Sequence, residues 1–388
     1  MTGYVFFSLR TSGPDLLADR VIEVSAIRTD HEFAELARMD VSHSMETQSP
    51  SMAVAQLRGI ASHYEMMRLV AKKFAEWSPA VFVGCDAMQS NDRFLRRALY
   101  LTLHDPFLTT SSGNGRTDVI RMAEMAAVHA PGTIVIPRSQ DRSPTYELEA
   151  IARANGVAKD RSGSASSDVD LALDLCRLLA DRTPHVVSSC TRFSQAASVR
   201  HFLEENPVSL FTRRIGSRMD TKYVALLARP DDESRACIVY DLSVDPMNLA
   251  ALGNDALDQR LQVAPKPLSL IRVSTCPILT DFDETMPIMG LDAEDIARRA
   301  EFLFANPDFR VRVAEHFRAV PKSEPLLENE GPAFEPFLNS LDRDLAAAFH
   351  LLELNDTTDW AGKFANERLN EIADGLLLAN MPVIRPTV

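Results

Sequence analysis

The sequence predicts an α/β domain with a mixed sheet, followed by a small β-barrel and then by a helical C-terminal region. Three observations support this order. Strand-like and helix-like runs alternate at the start of the chain, short strand-like runs separated by turns begin near Asp181, and helical spacing returns near Leu291. Alternating strands and helices are typical of an α/β layer, whereas successive short strands are typical of a barrel.

The first domain is predicted to open with a hairpin. Residues 4–8 and 21–28 are strand-like, and the turn-forming residues 11–14 separate them. A helix then presents one apolar face, and a short buried strand follows it at residues 81–83. That apolar face consists of Met66, Leu69, Val70, Phe74 and Trp77. Further helices are predicted at residues 92–103, 117–127, 146–155 and 167–180.

The second and third regions follow different patterns. Strand-like runs at residues 223–227, 237–242, 269–273 and 277–279 predict a small β-barrel or partly open sheet. Residues 321–336, which contain four Glu and four Pro, are predicted to be a linker. Two helical faces are predicted in the last part of the chain, one with Leu341, Leu345, Phe349 and Leu352 and one with Leu369, Ile372 and Leu376.

Composition excludes several classes of protein. The chain has 388 residues, of which 46% are hydrophobic and 24% charged, as expected for two or three globular domains. No apolar run approaches the ~18 residues of a membrane span, and no basic segment precedes the apolar start. The five cysteines show no CxxC spacing, which argues against a zinc ribbon or a disulfide framework. We therefore expect a cytoplasmic protein with reduced thiols and no membrane partner.

The acidic residues are concentrated near the end of the chain. The formal net charge is −13, and residues 281–388 alone carry 10 Lys+Arg against 21 Asp+Glu. Residues 191–280 carry 11 Lys+Arg against 10 Asp+Glu and are therefore close to neutral. The acidic region is either a solvated helical domain or a surface that repels DNA or binds a basic protein partner.

Several motifs, in this order and at this spacing, resemble those of one family. They are Tyr4–Gly13 with Val21–Asp30, Gly84–Asp92, Asp105–Phe107, Arg116–Ala123, Leu148–Gly156, Cys276–Leu279 and Phe364–Pro382. The chain resembles bacterial exonuclease I, a 3′→5′ single-strand DNA exonuclease of the DnaQ-like, DEDD-type class. The resemblance implies a ribonuclease-H-like domain over residues 1–183, a Src-homology-3-like barrel region over 184–319, and a truncated helical C-terminal region over 320–388.

The resemblance also implies a two-metal site built from four carboxylates, with a histidine as general base. In the family's pattern the first strand carries Asp-x-Glu, a helix after the central strand carries an Asp, and the last helix of the domain carries His-x-x-x-x-Asp. Here Ser8 stands at the first Asp position and Arg10 at the Glu position. Asp92 and Asp168 retain the other two carboxylates, and Gly163 replaces the histidine.

These replacements predict a vestigial site. Mg²⁺ requires an octahedral shell of oxygens and usually two or more carboxylates, and Arg10 brings a permanent cation instead. We expect Arg10 to pair with Asp92 or Asp168 in a buried ion pair that takes over the electrostatic role of the metals. No metal cofactor is expected, and any ion that binds would use Asp92 and Asp168.

Other interpretations of these residues remain open. Asp92 and Asp168 could be ordinary acids in the first turn of a helix, and Asp170 is a rival for the position of Asp168. Arg10 could point into solvent if the strand register differs by one residue. His185 and His201 are the only nearby histidines that could supply a compensating base.

Two basic clusters could contact nucleic acid. They are Arg213, Arg214, Arg218 and Lys222 at the entrance to the barrel, and Arg93, Arg96 and Arg97 on the helix after Asp92. Single-strand binding needs cations for the phosphates and aromatic rings for the bases, and the barrel region has few aromatic residues. Retention and loss of DNA binding are both compatible with this pattern.

The sequence thus favours a nuclease-deficient protein that binds single-stranded DNA or a protein partner in DNA repair, recombination or defence. The alternative is an active 3′→5′ single-strand exonuclease that uses Mg²⁺ or Mn²⁺ in a rearranged site.

Overall fold

The computed structural model describes residues 3–43, 52–85, 91–157, 163–228, 236–282, 292–319, 340–352, 360 and 362–380. They form two compact units. The first contains the described parts of Met1–Asn114, Asp160–Leu173 and Glu324–Val388, and the second contains those of Gly115–Lys159 and Asp174–Ser323. The division into residues 1–183, 184–319 and 320–388 stays a prediction.

The first unit is built on a mixed sheet. Its strands are β1 (Tyr4–Thr11), β2 (Val21–Thr29), β3 (Glu35–Ser42) and β4 (Val81–Gly84), and they lie in the order β3-β2-β1-β4. The first three strands pair antiparallel, and β4 runs parallel to β1 with Tyr4 opposite Val81. The predicted hairpin and mixed sheet are therefore present.

Alternation along β1 divides its side chains between two faces. Val5, Phe7 and Leu9 belong to a buried apolar cluster with residues of α1 (Met52–Trp77) and α2 (Asn91–Leu101). Phe6, Ser8 and Arg10 occupy alternate positions and therefore lie on the other face of the strand. The burial of the first face fixes the register that places Ser8 and Arg10 together.

Two helices near the end of the chain complete the first unit. In α12 (Ser340–His350) and α13 (Glu367–Asn380), Phe349, Leu369 and Leu376 pack in a cluster with Tyr64 and Tyr100. Leu341, which was predicted on the same face as Phe349, is instead 57% exposed. The predicted linker at residues 321–336 lies outside the described residues.

The second unit contains a five-stranded antiparallel sheet with surrounding helices. The sheet order is β10-β6-β7-β8-β9, from β6 (Ser209–Ile215), β7 (Arg218–Ala228), β8 (Ala236–Asp241), β9 (Leu268–Arg272) and β10 (Ile278–Asp281). Its apolar side packs against α10 (Ala293–Ala305) and α11 (Pro307–Ala319) through Ile296, Leu303 and Val313.

Eight further strands and helices lie in the described residues. They are β5 (Gly115–Asp118), α3 (Val119–His129), α4 (Leu148–Ala154), α5 (Ala165–Arg182, whose first turns belong to the first unit), α6 (Pro184–Arg192), α7 (Ala196–Glu205), α8 (Pro246–Ala250) and α9 (Asn254–Gln262). None of the helices in the described residues is long and apolar enough to cross a bilayer.

Candidate functional site

The candidate site lies where the end of β1 meets the start of α5. Ser8 is almost completely buried and pairs with Ser25 of β2, while Arg10 is half-buried and lies opposite Glu23. Glu23 accepts a hydrogen bond from the backbone N–H of Ala165 at 3.1 Å, which attaches the first turn of α5 to the sheet. The site therefore lies entirely within the first unit.

Arg10 and Ser8 both contact Asp168. The Arg10 Nη2 atom lies 2.9 Å from Asp168 Oδ2, and the Ser8 hydroxyl donates to the same oxygen at 3.4 Å. The prediction that Arg10 pairs with Asp92 or Asp168 is confirmed for Asp168, although the pair is only partly buried. The two side chains are 38% and 28% exposed, because the site opens to solvent at the end of the strand.

Gly163 lies beside the same guanidinium. A Cβ atom built on Gly163 would lie 3.7 Å from Arg10 Nη2, which is an ordinary van der Waals contact. A larger side chain at residue 163 would therefore extend from a position adjacent to the guanidinium. The structure thus brings together four of the five residues at which the sequence predicts a vestigial site, namely Ser8, Arg10, Gly163 and Asp168.

The fifth residue, Asp92, has its own arginine. It lies in the first turn of α2, and its Oδ1 atom is 2.9 Å from Arg96 Nε. The Asp92 and Arg96 side chains are only 10% and 8% exposed, and the guanidinium also lies 5.3 Å from the centre of the Phe107 ring. Arg96 was predicted to contact DNA, but it is buried in this contact because it matches the Asp92 charge inside the unit.

The position of Asp170 settles which acid faces β1. Arg38 of β3 binds Asp170, with 2.7 Å between Nη2 and Oδ1, and also binds Glu35. Hydrogen bonds to Glu35 and Asp170 raise the pKa of Arg38 above its usual range, so its charge is permanent. Asp170 therefore points toward β3, and Asp168 is the acid that reaches Arg10 and Ser8.

The donor set does not fit a pair of divalent ions. One hydroxyl, one guanidinium and a glycine occupy three of the five relevant positions, and each remaining carboxylate is ion-paired with an arginine. Hard cations need several oxygen ligands, and a fixed guanidinium repels them. Among the described residues, no group of three His, Cys, Asp or Glu side chains has the geometry to hold a metal ion.

The basic cluster at the entrance to the barrel is mostly engaged in ion pairs. Arg214 Nε lies 2.7 Å from Oε1 of the buried Glu124. Lys222 Nζ lies 2.6 Å from Oδ2 of the buried Asp241. Arg213 Nε lies 3.7 Å from Asp220 Oδ2. These arginines and lysine neutralise acids of their own unit and add little net positive surface. Arg218, at the start of β7, is exposed.

The cluster on α2 is also engaged within the protein. Arg97 is half-buried and donates to the backbone carbonyls of Leu16, Leu17 and Asp19 in the loop after β1. Burial lowers the pKa of Arg97 from its usual value, and the three carbonyls satisfy its guanidinium. Arg93 is half-buried on the same helix.

The two histidines considered as a compensating base belong to the second unit. His185 is exposed in α6, and His201 is exposed in α7, where it lies 3.9 Å from Glu205. Their role in catalysis stays a prediction. Sequence reasoning missed the partners Glu124, Asp241 and Arg38, whereas the spacing of four residues between Asp92 and Arg96 on a predicted helix could have revealed that pair.

Comparison with known proteins identifies similar sequences. A family model described as the exonuclease I SH3-like domain matches residues 198–319. Exodeoxyribonuclease I of Escherichia coli K12 is 22% identical over 369 residues, which cover 88% of this chain and 77% of that protein. Exodeoxyribonuclease I of Haemophilus influenzae is 21% identical over 399 residues, covering 95% of this chain and 84% of that protein.

Solved structures have the same fold. E. coli exonuclease I in complex with a dA16 oligonucleotide matches with a TM-score of 0.78 at 20% identity, over 98% of this chain and 87% of that chain. A moderately thermophilic exonuclease I from Methylocaldum szegediense matches with a TM-score of 0.74 at 22% identity, over 98% of this chain and 85% of that chain. The predicted fold class, a ribonuclease-H-like domain with an SH3-like domain, is confirmed.

Proposed function

Because the chain is a divergent member of the bacterial exonuclease I family, we propose that it is a nuclease-deficient single-strand-DNA-binding protein. In this proposal the protein keeps the family's fold and its interaction with a single strand but lacks the hydrolytic step. It would act in DNA repair, recombination or defence, alone or with a protein partner bound through its acidic C-terminal region.

One observation carries the loss of hydrolysis. Each of the two remaining carboxylates, Asp168 and Asp92, is bound to an arginine of the same unit. In a two-metal mechanism the carboxylates must be free to hold the cations that activate water and stabilise the leaving oxygen. Here the guanidinium groups of Arg10 and Arg96 already balance the charge of the two carboxylates. A guanidinium, however, does not activate water or stabilise the leaving oxygen as a bound metal ion does.

The histidine position adds a second argument. Gly163 has no side chain, so it cannot remove a proton from an attacking water molecule. General-base catalysis typically contributes 10²–10⁴-fold, and losses of metal ligands cost further orders of magnitude that do not simply add. The combined changes at Ser8, Arg10 and Gly163 support an inactive protein.

Single-strand binding has support that does not depend on the metals. Cations bind the phosphate backbone through counterion release, which is a property of Lys and Arg rather than of a carboxylate cluster. A relative of similar fold has been crystallised with a dA16 oligonucleotide. Arg218 is exposed at the start of β7 and is the member of the predicted barrel cluster best placed to meet a phosphate.

A titration with a 3′-labelled oligonucleotide tests both parts of the proposal. We expect binding that weakens as salt is raised, that Mg²⁺ does not strengthen relative to EDTA, and that leaves the label at full length. Arg218→Glu should weaken binding, whereas Arg272→Glu, a matched charge reversal at an exposed residue of β9, should weaken it less. No binding at low ionic strength would contradict DNA handling and leave the protein-interaction role, which a pull-down with the acidic region would then test.

The second candidate function is an active exonuclease with a rearranged site. This candidate function is favoured because the E. coli and H. influenzae relatives described above are named exodeoxyribonuclease I. Shortening of the labelled strand with Mg²⁺ or Mn²⁺ would support this candidate, provided that Asp168→Ala and Asp92→Ala abolish it.

A further inference from the structure

A cavity of about 180 Å³ lies in the first unit, where α13 meets α1 and α2. Its apolar wall is formed by Leu101 at the end of α2 and by Ile372 and Leu376 of α13. These three side chains belong to the apolar cluster that holds α13 on the unit. An apolar cavity of ~150 Å³ can hold a benzene molecule, so the volume is sufficient for one planar six-membered ring.

A glycine in the middle of α13 also lines the cavity. Gly375 lies inside the helix, where glycine is less favourable than almost any other residue. A Cβ atom built on Gly375 would meet no heavy atom within 4 Å, so no close contact requires glycine at this position. The missing side chain therefore leaves space that belongs to the cavity, and a larger residue at 375 would occupy that space.

A buried histidine lines the same cavity with an unsatisfied nitrogen. His63 of α1 is only 6% exposed, and its Nε2 atom is buried with no hydrogen-bond partner among the described residues. Burial lowers the pKa of His63 to about 3, so the imidazole is neutral at pH 7 and carries one donor and one acceptor nitrogen. Thr102, another lining residue, already donates its hydroxyl hydrogen to the Ala98 carbonyl at 2.7 Å. The imidazole is therefore the buried polar group that a ligand could satisfy.

The charges around the cavity favour an anion. Arg20 lines the cavity and is half-buried, and its guanidinium forms no ion pair or hydrogen bond in the described part of the chain. Burial lowers the pKa of Arg97, and repulsion by Arg20 and Arg368 contributes, so the three guanidinium groups lie close enough to interact. The nearby acids Glu371, which lines the cavity, and Asp15 are both exposed, so water and salt screen their charges. Arg20 is thus a cation available for a ligand.

From these features we propose that the cavity binds a small molecule with one planar ring and one anionic group, either an aromatic carboxylate or a pyrimidine mononucleotide. The ring packs against Leu101, Ile372 and Leu376, and the anionic group pairs with Arg20. A polar atom of the ligand satisfies His63. Because the lining residues come from α1, α2 and α13, a bound ligand stabilises the packing of α13 on the unit. The proposal does not depend on whether the protein binds or cleaves DNA.

Saturation-transfer difference NMR on the full chain tests the ligand class. The probes are benzoate, its neutral analogue benzamide, the cation benzylamine, and thymidine 5′-monophosphate. We expect benzoate to bind with a Kd on the order of 1 mM, as a small ring compound with one ion pair should. Benzamide should bind at least about tenfold more weakly, because charge-assisted hydrogen bonds are stronger than neutral ones. Equal binding of benzoate and benzamide, or a preference for benzylamine, would overturn the proposal.

Two pairs of variants locate the site. Gly375→Leu should fill the cavity and abolish binding, and thermal unfolding should show it to be at least as stable as the parent, because leucine favours a helix. Gly253→Leu, at an exposed glycine before α9 with equally open surroundings, should leave binding unchanged. Arg20→Gln should lower the affinity for benzoate to that for benzamide, whereas Arg272→Gln, at an exposed residue of β9, should not.

The same variants distinguish the two sources of the ligand. If Gly375→Leu loses the signal of thymidine 5′-monophosphate, the site accepts a nucleotide, and if it loses the benzoate signal alone, the site accepts a carboxylate. A nucleotide that instead binds a single-strand surface elsewhere should give the same signal with Gly375→Leu as with the parent. Binding of both anions by Gly375→Leu as strong as by the parent, or no binding of either anion by the parent, would contradict the proposal.

Discussion

Replacing Arg10 by alanine should lower stability by a modest amount, and the structure sets the magnitude. A well-buried ion pair broken on one side typically costs ~3–5 kcal/mol, whereas an exposed pair contributes about 0.2–1 kcal/mol. The Arg10 and Asp168 side chains are 38% and 28% exposed, and Arg10 Nε is buried with no hydrogen-bond partner among the described residues. We therefore expect a loss of about 1 kcal/mol in the free energy of unfolding.

Arg38→Ala is the matched control. Like Arg10, Arg38 joins the sheet to α5, in this case through Asp170, which follows Asp168 by two residues. The Arg38 side chain is 32% exposed. Urea unfolding of the parent, Arg10→Ala, Asp168→Asn and the double variant measures the coupling between Arg10 and Asp168. Added Mg²⁺ should stabilise Arg10→Ala more than the parent or Arg38→Ala, because only that variant removes the guanidinium that lies 2.9 Å from Asp168. A coupling energy of zero, or equal stabilisation of all variants by Mg²⁺, would refute the argument that the guanidinium replaces a metal.

Two further predictions concern buried charges and histidines. Asp92→Ala should destabilise the protein by ~3–5 kcal/mol in urea unfolding, since it removes the buried carboxylate that lies 2.9 Å from the buried Arg96 guanidinium, and a loss below about 1 kcal/mol would show that the pair is unimportant. Burial and the neighbouring His43 lower the pKa of His63 to about 3, so the folded state resists protonation that the unfolded state accepts below pH ~6.5. Stability should therefore fall as the pH drops from 6.5 toward 3, and His63→Leu should reduce the slope by up to about 1.4 kcal/mol per pH unit. His201→Gln, at an exposed histidine, should leave that slope unchanged, and an unchanged slope in His63→Leu would contradict the assignment.

The sequence could predict the site because one face of β1 is strongly apolar. Val5, Phe7 and Leu9 must face the core, so Ser8 and Arg10 are placed together on the other face by alternation alone. That Arg10 would meet Asp92 or Asp168 followed from the resemblance to exonuclease I, since both acids are far from Arg10 in sequence. Its partial exposure could not be predicted, because exposure depends on how α5 closes over the end of the strand.

The basic clusters show where sequence reasoning failed. Arg214 and Lys222 looked available for phosphates because their acidic partners, Glu124 and Asp241, lie elsewhere in the sequence. Only the fold brings those buried carboxylates within 3 Å of the cations, and burying an acid demands such a partner.

The sequence did not predict the strands β3, β5 and β6, and two of them, β3 and β6, were missed for a related reason. β3 is a solvent-facing strand in which Met39 is the one buried apolar residue, so it lacks clear alternation. In β6, a buried first half is followed by Arg213 and Arg214, and the basic run concealed the strand. Pairing with a neighbouring strand, rather than the local pattern, determines both elements.

The central claim is that the fold of exonuclease I is present here without its hydrolytic chemistry, and a nuclease assay tests it most directly. A 3′-labelled single strand is incubated with Mg²⁺ or Mn²⁺ and either the parent protein or the triple variant Ser8→Asp, Arg10→Glu and Gly163→His. The three changes belong together, because a histidine at 163 would otherwise extend beside the Arg10 guanidinium. We predict that the parent leaves the strand intact and that the triple variant shortens it from the 3′ end. Shortening by the parent protein that disappears in Asp168→Ala would contradict the account.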